Sequence, residues 1–184
     1  VTNVRDWSTP AVAEHAFAMM LGIRRQLLVY RQALQAGAWQ RSHFYGVLNE
    51  TLPQDLYGCT LAIIGYGALG KRLEKLARAF DMQVLVADHK GMAPRAGRVA
   101  FDEALERADV LCIACPISDE TRNLIDRAEL ARMKPTATLI NTARGGIVNE
   151  QALADALRAG RLGGAGVDSL AVEPPRDGNP LLDL

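Results

Sequence analysis

The chain has 184 residues, 49% of them hydrophobic, and 21 basic side chains balance 21 acidic ones. That length supports one α/β domain with its own core. The balanced charge excludes a strong electrostatic hold on nucleic acid or an anionic membrane surface, and no apolar run reaches the ~20 residues a spanning helix needs. No signal-peptide pattern is read, and the opening on Val1 leads us to expect a trimmed piece of a longer protein. Cys59, Cys112 and Cys115 all sit in or beside apolar segments. Their odd number and setting point away from a disulfide framework and toward a reducing, cytoplasmic compartment. Cys112–Ile113–Ala114–Cys115 spells C-x-x-C, but it lies in a strand-like run instead of a turn, so buried small side chains are expected there and no metal site is read.

Residues 10–36 read as one long helix. Ser8 or Thr9 is placed to cap it, Pro10 suits its first turn and Glu14 lies near its positive end. Val12, Ala16, Met19, Met20, Ile23 and Leu27 form its apolar stripe. His15 falls at the edge of that stripe and is read as an ordinary helix histidine. Gly37 ends the helix, and residues 38–57 follow with no period but with Trp39, Phe44, Tyr45 and Tyr57. Such an aromatic arm is either buried against a second subunit or folded over its own domain.

Residues 58–170 alternate strands with helices, the pattern of a Rossmann-like, doubly wound parallel sheet with both faces covered. Thr60–Ile64 is an apolar strand that stops at Gly65–Tyr66–Gly67–Ala68–Leu69–Gly70. A helix follows with Leu69, Leu73, Leu76, Ala77 and Phe80 on one face. Strand Val84–Ala87 then ends at Asp88. This strand–turn–helix–strand–acid order is that of a dinucleotide-binding unit. Gly65 permits the tight turn, Gly67 lets a pyrophosphate approach the backbone, and Gly70 allows close helix packing. The first amides of the helix, at Ala68 and Leu69, would face the phosphates with the helix dipole behind them. Asp88 would accept from the adenosine ribose hydroxyls and repel a 2′-phosphate. That favours NAD over NADP, although His89 and Lys90 offset part of the repulsion.

Farther on, Arg98–Phe101 is expected as a short third strand and Asp102 as the cap of a small helix. Strand 110–115 runs into a loop through Thr121. Asp126 and Glu129 form a capping pattern for a helix ending near Met133. Ala137–Asn141 is a strand, residues 149–158 are helical, Gly160 stops them, and residues 164–168 are a last short strand before a tail at 171–184. In such sheets ligands gather at the carboxyl ends of the strands. The Gly65 turn, Asp88, the Cys115–Thr121 loop, Thr142–Arg144 and Asp168 should therefore converge on one crevice. Arg144 there presents a planar fork of donors for a carboxylate and its adjacent carbonyl. Asp168 is placed to bond a nicotinamide carboxamide, and Glu173 to orient a histidine.

Together these motifs resemble the D-isomer-specific 2-hydroxyacid dehydrogenases. The resemblance runs through Val12–Ala13–Glu14–His15, Gly65–Gly70, Asp88, Cys115–Pro116 to Thr121, and Met133–Lys134–Pro135. It continues through Asn141–Thr142–Ala143–Arg144–Gly145, Val148–Asn149–Glu150, Ala152–Leu157, and Gly166–Val167–Asp168 to Glu173–Pro174. Asp6–Trp7–Ser8–Thr9–Pro10 and the opening helix look most similar to the glycerate dehydrogenase (hydroxypyruvate reductase) branch. The resemblance implies hydride exchange between a nicotinamide cofactor and a small 2-oxo or D-2-hydroxy acid. Arg144 would bind substrate, and Glu173 would pair with the catalytic histidine. Ala68, Leu69, Asp88, Cys115, Pro116, Thr121, Thr142, Ala143 and Asp168 would lie along the cofactor. The resemblance also implies a homodimer formed through this domain.

The family's catalytic histidine follows its Glu-Pro pair, and His15, His43 and His89 match no such position. The chain is therefore expected to be the cofactor domain, binding NAD with little turnover of its own. A transcriptional corepressor family of the same fold offers an NAD-responsive, non-catalytic alternative. Formate and phosphite dehydrogenases differ only in substrate.

Overall fold

The central strands are apolar along most of their length because both of their faces are covered, and the polar Thr60, Thr138 and Asn141 fall at their ends. The computed structural model describes residues 8–47 and 52–184. Five parallel strands form the sheet: β1 (Thr60–Ile64), β2 (Gln83–Ala87), β3 (Val110–Ile113), β4 (Thr138–Asn141) and β5 (Gly164–Val167), in the order β2-β1-β3-β4-β5. Register is continuous across the middle, with Ile64 opposite both Ala87 and Ile113, and Ile113 opposite Asn141. Alternation along each strand divides the core in two. Leu61, Ile63, Val110, Cys112 and Ile140 point to one side, under α1 (Thr9–Arg24) and α3 (Ala68–Ala79). Ala62, Ile64, Leu111, Ile113 and Leu139 point to the other, under α4 (Phe101–Arg107), α5 (Arg127–Arg132) and α6 (Glu150–Arg158). This is the doubly wound arrangement read from the sequence. The strand order reverses between β1 and β3, and the carboxyl ends of strands at such a reversal are where open α/β sheets bind ligands. Among the described residues no helix is long and apolar enough to cross a membrane.

Four local expectations are corrected. The opening helix is two helices, α1 and α2 (Leu27–Gln35), separated at Arg25 and Gln26, where Gln26 is left-handed at φ 53°. The returning segment causes the break. Gln54 N–H donates to the Arg24 carbonyl at 2.8 Å, taking the acceptor that the next helical turn would need. The Arg24 side chain is itself buried, donating to the carbonyls of Asp55 and Asp109. The start of α1 has proline in its first turn as expected, but Ser8 makes no side-chain cap. Nor is there a third strand at Arg98–Phe101: only Val99 bridges to Ala87, and α4 already begins at Phe101. Asp102 accordingly lies inside the first turn of α4 instead of capping it.

The capping box of Asp126 and Glu129 forms as read. Asn149 caps α6, its Oδ1 accepting from Ala152 N–H at 3.0 Å. Asn149→Ala should cost about 1 kcal/mol, the usual worth of such a cap. Urea unfolding would check this, and an unchanged midpoint would show that α6 does not depend on the bond. Asp6, Trp7 and residues 48–51 of the aromatic arm lie outside the described residues. In the described part of the arm Leu56 is buried, while Trp39, Phe44, Tyr45 and Tyr57 stay exposed, Tyr45 at 95%. The described aromatics are thus not covered by their own domain.

Candidate active site

The turn after β1 is built from three glycines held for different reasons. Gly65 sits at φ +94°, and a Cβ there would lie 2.6 Å from Cys115 N and 2.8 Å from Ala114 O. At Gly70 a Cβ would run into the Gly65 carbonyl, so α3 rests directly on the turn. Gly67 differs: a Cβ there meets nothing within 4 Å. The protein's own packing does not require glycine at 67, and the open space lies at the amino end of α3. That end has no side-chain cap, so its first N–H groups have no partner within the helix. An open cradle in front of free backbone donors fits a phosphate-bearing cofactor.

The neighbouring cleft, about 870 Å³, is lined by Gly65, Tyr66, Asp88, Arg95, Cys115, Pro116 and Thr121 among others. Asp88 lies just past β2, as read from the sequence, but its carboxylate is already engaged. It accepts from His89 N–H and Arg95 N–H and from the Arg95 guanidinium. Those bonds, led by the Arg95 side chain, hold the carboxyl well below the usual carboxylate range. Arg98 lies over the Tyr66 ring, 5.9 Å from its centroid, and the Tyr66 hydroxyl donates to Glu74. Across the cleft Thr121 Oγ1 donates to the Pro116 carbonyl at 2.8 Å and accepts from Ser118 N–H at 2.7 Å, which closes the loop after β3.

The loop after β4 is stapled by Asn141, whose Nδ2 donates to the Arg144 carbonyl at 2.9 Å while its Oδ1 accepts from Ala143 N–H at 3.1 Å. Thr142 is buried behind it. Arg144 is exposed and among the described residues donates only to the Ala143 carbonyl, so most of its fork is open to a ligand. Gly145 has no room for a Cβ because the Leu170 backbone lies against it. The Arg144 loop and the loop after β5 therefore touch backbone to backbone. In the latter loop Glu173 Oε1 accepts from Leu170 N–H at 2.8 Å. Asp168 faces His15 of α1, Oδ1 to Nε2 3.2 Å, with both side chains half exposed.

The chain matches the family described as D-isomer specific 2-hydroxyacid dehydrogenase, NAD binding domain, over residues 17–184. It belongs to that family. It is 42% identical to a glycerate dehydrogenase of Methylorubrum extorquens over 183 residues, covering 100% of this chain and 57% of that protein. Among solved structures, the NAD-complexed D-isomer specific 2-hydroxyacid dehydrogenase of Lactobacillus delbrueckii ssp. bulgaricus superposes with a TM-score of 0.81 at 29% identity, covering 97% of this chain and 54% of that one. An acyclic imino acid reductase in complex with NADPH and D-Arg superposes at 0.82 with 32% identity, covering 96% and 55%. The chain thus spans little more than half the length of these three proteins.

Within this domain the residues expected along one crevice line two open hollows. Gly65, Asp88, Cys115, Pro116 and Thr121 line the cleft beside the Gly65–Gly70 turn, whereas Asp168 and Glu173 line a hollow of about 600 Å³ beside Leu157, Pro174 and Leu184. Arg144 stands on the loop that contacts the second group. The C-x-x-C reading as buried side chains holds for Cys112, whereas Cys115 is only partly buried and lines the cleft. Cys112 packs on the α1 side of the sheet and Cys115 against the other core cluster. Burial pushes the Cys112 thiol up to about 12.

Sequence reasoning missed three residues. Arg95 lies in an irregular loop, and nothing in its spacing ties it to Asp88. His15 was read as an ordinary helix residue, but the packing of α1 against β5 carries it to Asp168. Glu150 was noted only within a motif. Its carboxylate accepts from Ala171 N–H and Asn179 Nδ2 and so ties the tail to α6.

Proposed function

We propose that this domain binds a nicotinamide adenine dinucleotide across the carboxyl ends of β1, β2 and β3, and that it serves an enzyme interconverting a small D-2-hydroxy acid and its 2-oxo acid. Glycerate/hydroxypyruvate and glyoxylate are the favoured substrates. The observation that carries this reading is the Gly65–Gly70 turn, where packing demands glycine at 65 and 70 but leaves space at 67 before the uncapped α3. When bound, the dinucleotide would supply the hydride donor or acceptor.

In this reading the amides of Ala68 and Leu69 hold the pyrophosphate, and Asp88 with its bonded Arg95 frames the adenosine ribose. Cys115, Pro116, Thr121, Thr142 and Ala143 wall the path toward the nicotinamide, and Asp168 bonds its carboxamide. Arg144 grips the substrate carboxylate and carbonyl oxygen with two parallel N–H donors, a geometry that lysine cannot reproduce. Glu173 orients and stabilises the protonated form of a histidine that passes a proton to or from the substrate oxygen. Titration with NADH, followed by quenching of tryptophan fluorescence and by calorimetry, should show one site per chain that AMP competes for. Absence of NADH binding to folded protein would overturn the reading.

The exposed Leu27, Leu28 and Leu34 of α2 and the aromatics at 39, 44 and 45 support a homodimer formed through this domain. An apolar surface of this kind gains more from burial against its copy than from water. Sedimentation at high micromolar concentration should show a dimer that Leu28→Glu weakens, and a strict monomer would sink the idea.

A further inference from the structure

The carboxylate at the ribose end has no acceptor capacity to spare. A carboxylate offers about four lone-pair positions. Around Asp88 four N–H groups occupy them: Arg95 N at 2.8 Å, Arg95 Nε at 2.9 Å, Arg95 Nη2 at 2.5 Å and His89 N at 2.9 Å. The side chain is only 2% exposed. A ribose hydroxyl could bond it only by displacing one of these donors.

What the cleft presents at this point is cationic. The Arg95 side chain is 57% exposed, and its Nη1 makes no hydrogen bond among the described residues. Arg98 Nη1 lies 4.0 Å from the same carboxylate and His89 Nδ1 lies 3.4 Å from it. Lys90 is spent elsewhere, paired with Glu129 at 2.9 Å. Two guanidinium groups therefore face one saturated carboxylate, and the local charge is positive where an acid alone would make it negative.

We propose that Arg95 is the coenzyme-selecting residue of this domain: anchored by Asp88, it admits a ribose 2′-phosphate, so the site takes NADP as well as NAD. The inference rests on the nucleotide reading above and replaces the repulsion expected from Asp88 with a compensated pair. Guanidinium suits the task because it can keep two donors on the carboxylate and turn the rest of its fork to a phosphate.

The test is direct titration of the protein and of Arg95→Ala with NADH and NADPH, read as dissociation constants, with a circular dichroism melt to confirm folding. In the unmodified protein NADPH should bind within about tenfold of NADH. Loss of the charge-assisted bonds in Arg95→Ala should raise the NADPH-to-NADH ratio by roughly 10- to 100-fold. Arg95→Lys, which keeps the charge but not the fork, should fall between them. A purely structural role would weaken both coenzymes together and leave the ratio unmoved. The inference is overturned if NADH binds while NADPH is weaker by well over tenfold in the unmodified protein, or if Arg95→Ala leaves the ratio unchanged. Failure of both coenzymes to bind would overturn the nucleotide reading, and this inference with it.

Discussion

Gly70→Ala is expected to weaken coenzyme binding and to destabilise the fold, whereas Gly67→Ala should weaken binding alone. At position 70 the added methyl meets the Gly65 carbonyl, and that carbonyl cannot retreat because Gly65 is itself pressed against Ala114 and Cys115. Relief requires α3 to move off the turn. Forced overpacking of this kind costs about 1–3 kcal/mol, and the displaced donors should lower NADH affinity by about 100-fold or more, equal to ~2.7 kcal/mol. At position 67 a methyl enters open space in a backbone conformation that L-residues accept. Its unfolding midpoint should match that of the unmodified protein while NADH affinity falls by at least about tenfold. Paired melts and titrations separate the two. A Gly67→Ala variant that bound NADH normally would show that no phosphate approaches that backbone.

In the complete enzyme, Arg144→Ala should lower kcat/KM for 2-oxo acids by about 10²–10⁴-fold, since two hydrogen bonds to charged groups at ~1.5–3 kcal/mol each would be lost. Arg144→Lys should recover little of this because lysine lacks the paired planar donors. Stability should hardly change, as the side chain is exposed and among the described residues bonds only to Ala143 of its own loop. Steady-state rates with hydroxypyruvate and glyoxylate supply the check. A kcat/KM within a few-fold of the unmodified enzyme would remove Arg144 from the substrate site.

Local chemistry was legible where it sufficed to set the structure. The glycine spacing at 65, 67 and 70, the capping box at Asp126 and Glu129, and the two-sided apolar strands all depend on neighbours close in sequence or on simple alternation. Expectations failed where a distant segment decided the outcome. The opening helix keeps its period past Arg24, yet the Gln54 amide takes the carbonyl that would carry it onward. Residues 98–101 have strand-like composition, but only Val99 reaches β2. Asp88 could be placed at a strand end from the sequence, while its partner Arg95 could not, because that pairing is made by the shape of a loop without period. The same limit applies to His15, which meets Asp168 only because α1 lies across β5.

The central claim is that the amino end of α3 faces a diphosphate with the ribose beside Asp88 and Arg95. A crystal structure of the protein with NADH bound tests it most directly. The account requires the pyrophosphate within hydrogen-bond distance of the Ala68 and Leu69 amides, its nearest approach over Gly67, and the adenosine ribose against the loop from Asp88 to Arg98. A nucleotide found elsewhere on the domain, or phosphates with no contact to the start of α3, would contradict it.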